Sequence, residues 1–119
     1  MAVCIPFLGV NNVEQTVVWY QELGFRCTGS NRYWDPNAAE LTWAQLEWES
    51  AAFMLFPFPV EKNNPIKDAG LYFRVSSLND LIERLKTHAK IIELNQDLGG
   101  KVEVVFEDLN GFRITFSCG

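Results

Sequence analysis

The sequence predicts an α+β fold built from two strand–helix–strand–strand–strand (βαβββ) modules, and three observations carry that reading. First, FLGVNNVEQTVVWYQELGF, beginning at Phe7, is matched at a constant offset by YFRVSSLNDLIERLKTHAK, beginning at Tyr72. Val10 falls on Val75, Val13 on Leu78, Val17 on Ile82 and Tyr20 on Leu85. Second, apolar residues recur at i, i+4 and i+7 in both copies, which gives each predicted helix one sticky face. Third, each copy ends in a hairpin whose residues alternate in polarity with period two.

Taken in order, the first strand of each copy ends at a polar pair, Asn11-Asn12 or Ser76-Ser77, whose side chains can cap the helix that follows. After each helix comes a strand, 25–29 in the first copy and 90–94 in the second. The hairpins pair 41–48 with 52–56, and 101–107 with 112–117 around a turn at Asn110-Gly111. SNRYWDPNAAE reads as a variable loop, and PFPVEKNNPIKDAG carries the prolines, asparagines and charges of an inter-module linker. The expected organisation is one domain, 1–119, with module one at 1–57, a linker at 58–68 and module two at 69–119.

At 119 residues the chain has the length of one domain, able to bury roughly two thirds of its unfolded surface. Cys4, Cys27 and Cys118 are widely spaced, with no CxxC pair and nothing resembling a secretory leader, so a reducing cytoplasm with buried or idle thiols is expected. The longest greasy run, AAFMLFPFPV, is too short for a bilayer and is broken by Pro57 and Pro59, which predicts a soluble protein. A formal net charge of −5 argues against nucleic acid, because phosphate binding needs clustered Lys and Arg. The same charge inclines toward a cationic ligand. Four Trp and nine Phe offer ring platforms beyond what a core of this size requires.

Two stretches carry a resemblance. IPFLGVNNVEQTVVWYQELGF looks like the opening strand and helix of the vicinal oxygen chelate superfamily, which includes glyoxalase I, extradiol dioxygenases, fosfomycin-resistance transferases and bleomycin-resistance proteins. FEDLNGFRITF resembles its closing Asp-Pro-Asp-Gly hairpin, with Leu109 standing where Pro is usual. The resemblance covers nearly the whole chain. It implies two curved four-stranded sheets, each with its helix on one side and a cavity on the other, and a homodimer in which modules of two chains close shared cavities. It also places Ile5 and Gly70 where enzymes of the family often have a His metal ligand, and Thr115 where they often have Glu. None of the three holds a divalent ion by itself, so no metal and no cofactor are expected. His88 reads as a solvated residue at the end of the second helix pattern, and Glu47 with Glu103 could bind Mg²⁺ only weakly.

Period-two alternation on that architecture predicts which side chains face the cavity. Ile5, Phe7 and Gly9 are expected there from the first strand, Trp43, Gln45 and Glu47 from the third, and Phe53 and Leu55 from the fourth. The second module contributes Gly70, Tyr72 and Arg74, then Lys101, Glu103 and Val105, then Arg113, Thr115 and Ser117. The opposite face, including Leu46, Met54, Phe56, Val104 and Phe116, is nearly all hydrocarbon and is expected to be core.

Candidate ligand-binding residues are therefore Phe7, Trp34, Trp43, Gln45, Glu47, Tyr72, Arg74, Glu103, Arg113 and Thr115. For Trp43 and Tyr72 the alternative is filling a sheet or dimer interface. For Glu47 and Glu103 it is an ion pair with Arg74, Lys101 or Arg113. Trp34, beside Asp35-Pro36, either caps a pocket or pins its loop.

No phosphate loop, nucleophile elbow or partner set for a Ser or Cys nucleophile is present in the sequence. The leading expectation is non-catalytic binding or sequestering of a small, partly aromatic, cationic molecule, as in the bleomycin-resistance proteins. Two alternatives stay open: an enzyme related to the glyoxalases or dioxygenases, using an atypical metal set or a Glu47/Glu103 acid–base pair, and a protein-interaction module.

Overall fold

The repeat in the sequence becomes a repeat in space. The computed structural model describes residues 2–32, 37, 40–58, 70–78, 80–96 and 99–119, and divides into two compact units, Met1–Glu61 and Lys62–Gly119. Unit one contains β1 (Phe7–Val10), α1 (Val13–Leu23), β2 (Arg26–Asn31), β3 (Trp43–Trp48) and β4 (Ala51–Pro57). Unit two contains β5 (Gly70–Arg74), α2 (Leu81–His88), β6 (Lys90–Gln96), β7 (Val102–Glu107) and β8 (Arg113–Cys118). The α+β class is confirmed as two four-stranded mixed sheets, ordered β1-β4-β3-β2 and β5-β8-β7-β6. In each, the first strand runs parallel to the last and the other neighbours are antiparallel.

α1 starts where its sequence says it must. The Asn12 side chain accepts from the Gln15 backbone N–H at 2.8 Å, satisfying one donor that the first helical turn cannot. It stops at Gly24, which takes the left-handed conformation (φ 116°) while the Phe25 N–H returns to the Tyr20 carbonyl at 3.1 Å. Eleven residues give a helix of about 16 Å, enough to span the three inter-strand gaps of a four-stranded sheet, about 14 Å. β1 and β2 can therefore lie at opposite edges. Val13, Val17, Tyr20 and Leu23 are buried, and Tyr20 meets Phe25 and Phe53 edge-on at 4.9 and 5.2 Å. Thr16, also buried, returns its hydroxyl to the Asn12 carbonyl at 2.7 Å.

α2 is shorter than its pattern suggested. It begins at Leu81 with Asp80 at the N-cap and no side-chain capping bond, so Ser76-Ser77 does not cap it. Leu78 is still buried, held in a tight turn by the Leu81 N–H on its carbonyl at 2.7 Å, and joins Leu81 and Leu85 in the core. The phase of the repeat holds even though the helix starts later.

The sheet cores follow alternation with one correction. Ala44 and Leu46 on β3, and Val104, Phe106, Ile114 and Phe116 on β7 and β8, are buried as expected. On β4 the faces are the reverse of the expectation: Phe53 and Leu55 are buried, while Met54 and Phe56 share the open face with Gln45. The cause is the turn. Trp48 pairs with Ala51, so only Glu49 and Ser50 connect the strands, whereas the expected pairing of 41–48 with 52–56 left three residues between them. One residue fewer moves every β4 side chain to the other face. The two-residue turn is made possible by Glu49, a non-glycine residue at φ 53°.

The β7–β8 loop has its own fastener. Asp108, buried, accepts from the Asn110 N–H at 2.8 Å and the Phe112 N–H at 2.9 Å through the same carboxylate oxygen, while Gly111 adopts φ 88°. This side chain supplies the order that Leu109, in place of Pro, does not. Asp108→Ala should lower stability by about 2 kcal/mol, because the Phe112 N–H is buried and loses a charged acceptor. Asp108→Asn, which keeps an oxygen there, should lose less than half of that in chemical denaturation.

Candidate functional site

Each sheet has one face covered and one open. In unit one the open face carries Phe7 from β1, Trp43, Gln45 and Glu47 from β3, and Met54 and Phe56 from β4. Phe7 meets Phe56 edge-on at 5.3 Å, and Phe56 meets Phe58 at 6.2 Å, with Phe7 and Phe58 about half exposed. Ile5 precedes β1 rather than belonging to it. Gly9 lies under this ring cluster: a Cβ there would come within 2.7 Å of the Phe58 Cβ.

The Trp43 indole lies across the sheet. Its N–H points at the Met54 sulfur, 3.1 Å away on β4, while its benzo edge covers Gly29 on β2, where a Cβ would sit 2.8 Å from the ring. Gln45, paired in register with both Gly29 and Met54, is therefore flanked by the same two residues that hold the indole. An extra residue between Cys27 and Gly29, a β-bulge, brings Gly29 opposite Gln45. The counterpart bulge between Ile91 and Glu93 repeats the device in unit two.

In unit two the open face is more polar. Register places Tyr72 beside Thr115 and Arg74 beside Ser117, with Ser117 facing Glu103 on the next strand. The Tyr72 hydroxyl donates to Glu103 Oε2 at 2.9 Å across the intervening strand. Glu103 was expected either to meet ligand or to pair with a cation; its partner is a phenol instead. Arg113, opposite Gly70, is exposed at the start of β8. A cleft of about 380 Å³ opens beside the ends of β5 and β8, lined by Arg74, Val75, Lys101, Ser117 and Gly119.

The polar side chains of these faces are largely uncommitted. Among the described residues, no hydrogen bond or ion pair occupies the side chains of Gln45, Glu47, Arg74, Arg113 or Thr115. Trp34 lies outside the described residues. Sequence reasoning assigned Met54 and Phe56 to the core and Phe58 to the linker. It placed Ser117 and Lys101 on the open face without counting them among the candidates. Ser117 was detectable, since it shares the parity of Thr115; Met54 and Phe56 were hidden by the turn.

Of the three positions aligned with metal ligands, Gly70 has no room for a side chain, because a Cβ would approach the Arg113 carbonyl oxygen to 2.7 Å. Among the described residues no three His, Cys, Asp or Glu side chains gather as an ion would require. Cys4 is exposed, and Cys27 and Cys118 half-buried, all three as free thiols. Cys118 donates to the Ser76 carbonyl at 3.3 Å. No helix among the described residues is long and apolar enough to cross a membrane.

Among solved structures the chain is similar to TioX from Micromonospora sp. ML1, with a TM-score of 0.76 and 18% identity over 99% of this chain and 96% of that one. It is similar to a bleomycin-binding protein complexed with bleomycin, with a TM-score of 0.72 and 16% identity over 100% and 99% of the two chains. It is also similar to the fosfomycin resistance protein FosX from Listeria monocytogenes, at 0.72 and 11% over 100% and 93%. At such identities the likeness is one of fold. No curated protein matches in sequence. The model of the Glyoxalase/Bleomycin resistance protein/Dioxygenase superfamily matches residues 3–116, and the chain belongs to that superfamily.

Proposed function

We propose that this protein binds or sequesters a small, partly aromatic molecule, in the manner of a bleomycin-binding protein and without metal catalysis. The observation that carries the reading is the open face of each sheet, where rings stand beside polar side chains, Gln45, Glu47, Arg74, Arg113 and Thr115, that have no partner among the described residues. A ring platform with a few uncommitted polar groups suits a ligand, because the rings supply contact area and the polar groups fix its orientation. Phe7, Trp43, Gln45 and Glu47 form the contact set in unit one, and Tyr72, Arg74, Glu103, Arg113 and Thr115 in unit two. The ligand positions aligned with family enzymes hold Ile5, Gly70 and Thr115, which supports binding over metal-assisted chemistry. The protein acts as a cytoplasmic homodimer in this reading, consistent with its free thiols, and antibiotic resistance is the role it suits.

A thermal-shift screen of metals and drug-like aromatic compounds tests this directly. A true ligand at a hundredfold excess over its Kd should raise the melting temperature by roughly 10 °C and change Trp fluorescence, while divalent metals leave both unchanged. A transition metal retained at one equivalent through dialysis would overturn the reading in favour of an enzyme.

A further inference from the structure

We propose that the cleft at the ends of β5 and β8 is an oxyanion subsite, in which Arg74 and Ser117 hold a carboxylate or phosphate group carried by the small-molecule ligand. The inference rests on the binding role just proposed and narrows the ligand's chemistry. It starts from Ser117, which is only 5% exposed yet lines the cleft. Its side chain has no hydrogen-bond partner among the described residues, so its hydroxyl keeps both its donor and its acceptor capacity. The hydroxyl is not sealed in, because none of the fully enclosed side-chain nitrogens or oxygens described lacks a partner. Its free hydrogen-bonding capacity therefore opens into the cleft, where an occupant can meet it.

Arg74 stands beside Ser117 in the parallel β5–β8 register, and its guanidinium is likewise unpaired among the described residues. A planar, always-charged fork next to a hydroxyl fits the two oxygens of a carboxylate or a phosphate. Lys101 and Gly119 complete the lining with Val75. The acid nearest in register is Glu103, whose Oε2 accepts the Tyr72 hydroxyl. Arg74 thus brings to the cleft a positive charge with no partner among the described residues, in a chain whose formal net charge is −5. Local sign, more than net charge, decides what binds at contact range, because screening weakens distant charges. The cationic ligand expected from composition is thus replaced, at this cleft, by an anionic group.

Calorimetric titration of the full chain with phenyl phosphate, benzoate, benzamide and benzylammonium separates the possibilities. At least one of the two anions should bind about tenfold more tightly than benzamide, and the order of the two distinguishes phosphate from carboxylate. Arg74→Gln should abolish that preference and Ser117→Ala should weaken it about fivefold. Arg84→Gln, on the exposed face of α2, should change nothing, and unchanged melting curves of the variants exclude misfolding. Benzamide or benzylammonium binding as tightly as both anions, or an Arg74→Gln protein that keeps the preference, overturns the subsite while leaving a ligand-binding role standing. Silence with all four probes also overturns the subsite, and the broader role is then decided by the thermal screen.

Discussion

Phe53→Ala is expected to lower the unfolding free energy by about 3–5 kcal/mol, against about 1 kcal/mol for Phe56→Ala three residues later. The two rings differ in where the Glu49-Ser50 turn sends them. Phe53 is 1% exposed and lies among Tyr20, Phe25 and Leu46, so its loss leaves a cavity that a helix and a sheet cannot both collapse into. Phe56 is half-buried on the open face, against Phe7 and Phe58, where solvent or a neighbouring ring can fill the space. Urea denaturation of the two variants gives the comparison, with m unchanged if each remains two-state. Equal losses, or a larger loss for Phe56→Ala, would mean that β3 and β4 are joined by three residues and that β4 presents its other face.

That pair of variants also marks where the sequence stops being readable. The helix of unit one could be placed because Asn12 and Gly24 are residues whose chemistry starts and stops helices. The β7–β8 hairpin could be placed because Gly111 announces a positive φ. Nothing announces Glu49: glutamate at φ 53° is chosen by the sheet around it and not by its own preference, so the parity of β4 depended on a turn length the residues do not encode. The start of α2 failed for a related reason. Serines can cap, but the helix begins only at Leu81, whose N–H reaches back to the Leu78 carbonyl, with Asp80 at the N-cap. The candidate site was legible as a face and not as a pocket, since alternation reports which way a side chain points and says nothing of which neighbours leave it unpaired.

Gly70 gives the second large effect. The resemblance aligns it with a histidine of family enzymes, and restoring a ligand there would be the natural way to ask whether metal chemistry can be recovered. The backbone forbids it. A Cβ at Gly70 would lie 2.7 Å from the Arg113 carbonyl oxygen, which is part of the neighbouring strand and cannot swing aside as a side-chain tip can. Gly70→Ala should therefore cost about 1–3 kcal/mol, and Gly70→His at least as much, with no stoichiometric zinc taken up by the folded protein. Thr115→Glu, two residues along β8 and with a Cβ already accommodated, should be tolerated far better. If Gly70→Ala melts with wild-type stability, β5 and β8 have slack the register does not suggest, and the departure from the enzymes is confined to side chains. If it is destabilised while Thr115→Glu is not, the departure has been built into the strand spacing itself, and reverting the ligands one by one cannot undo it.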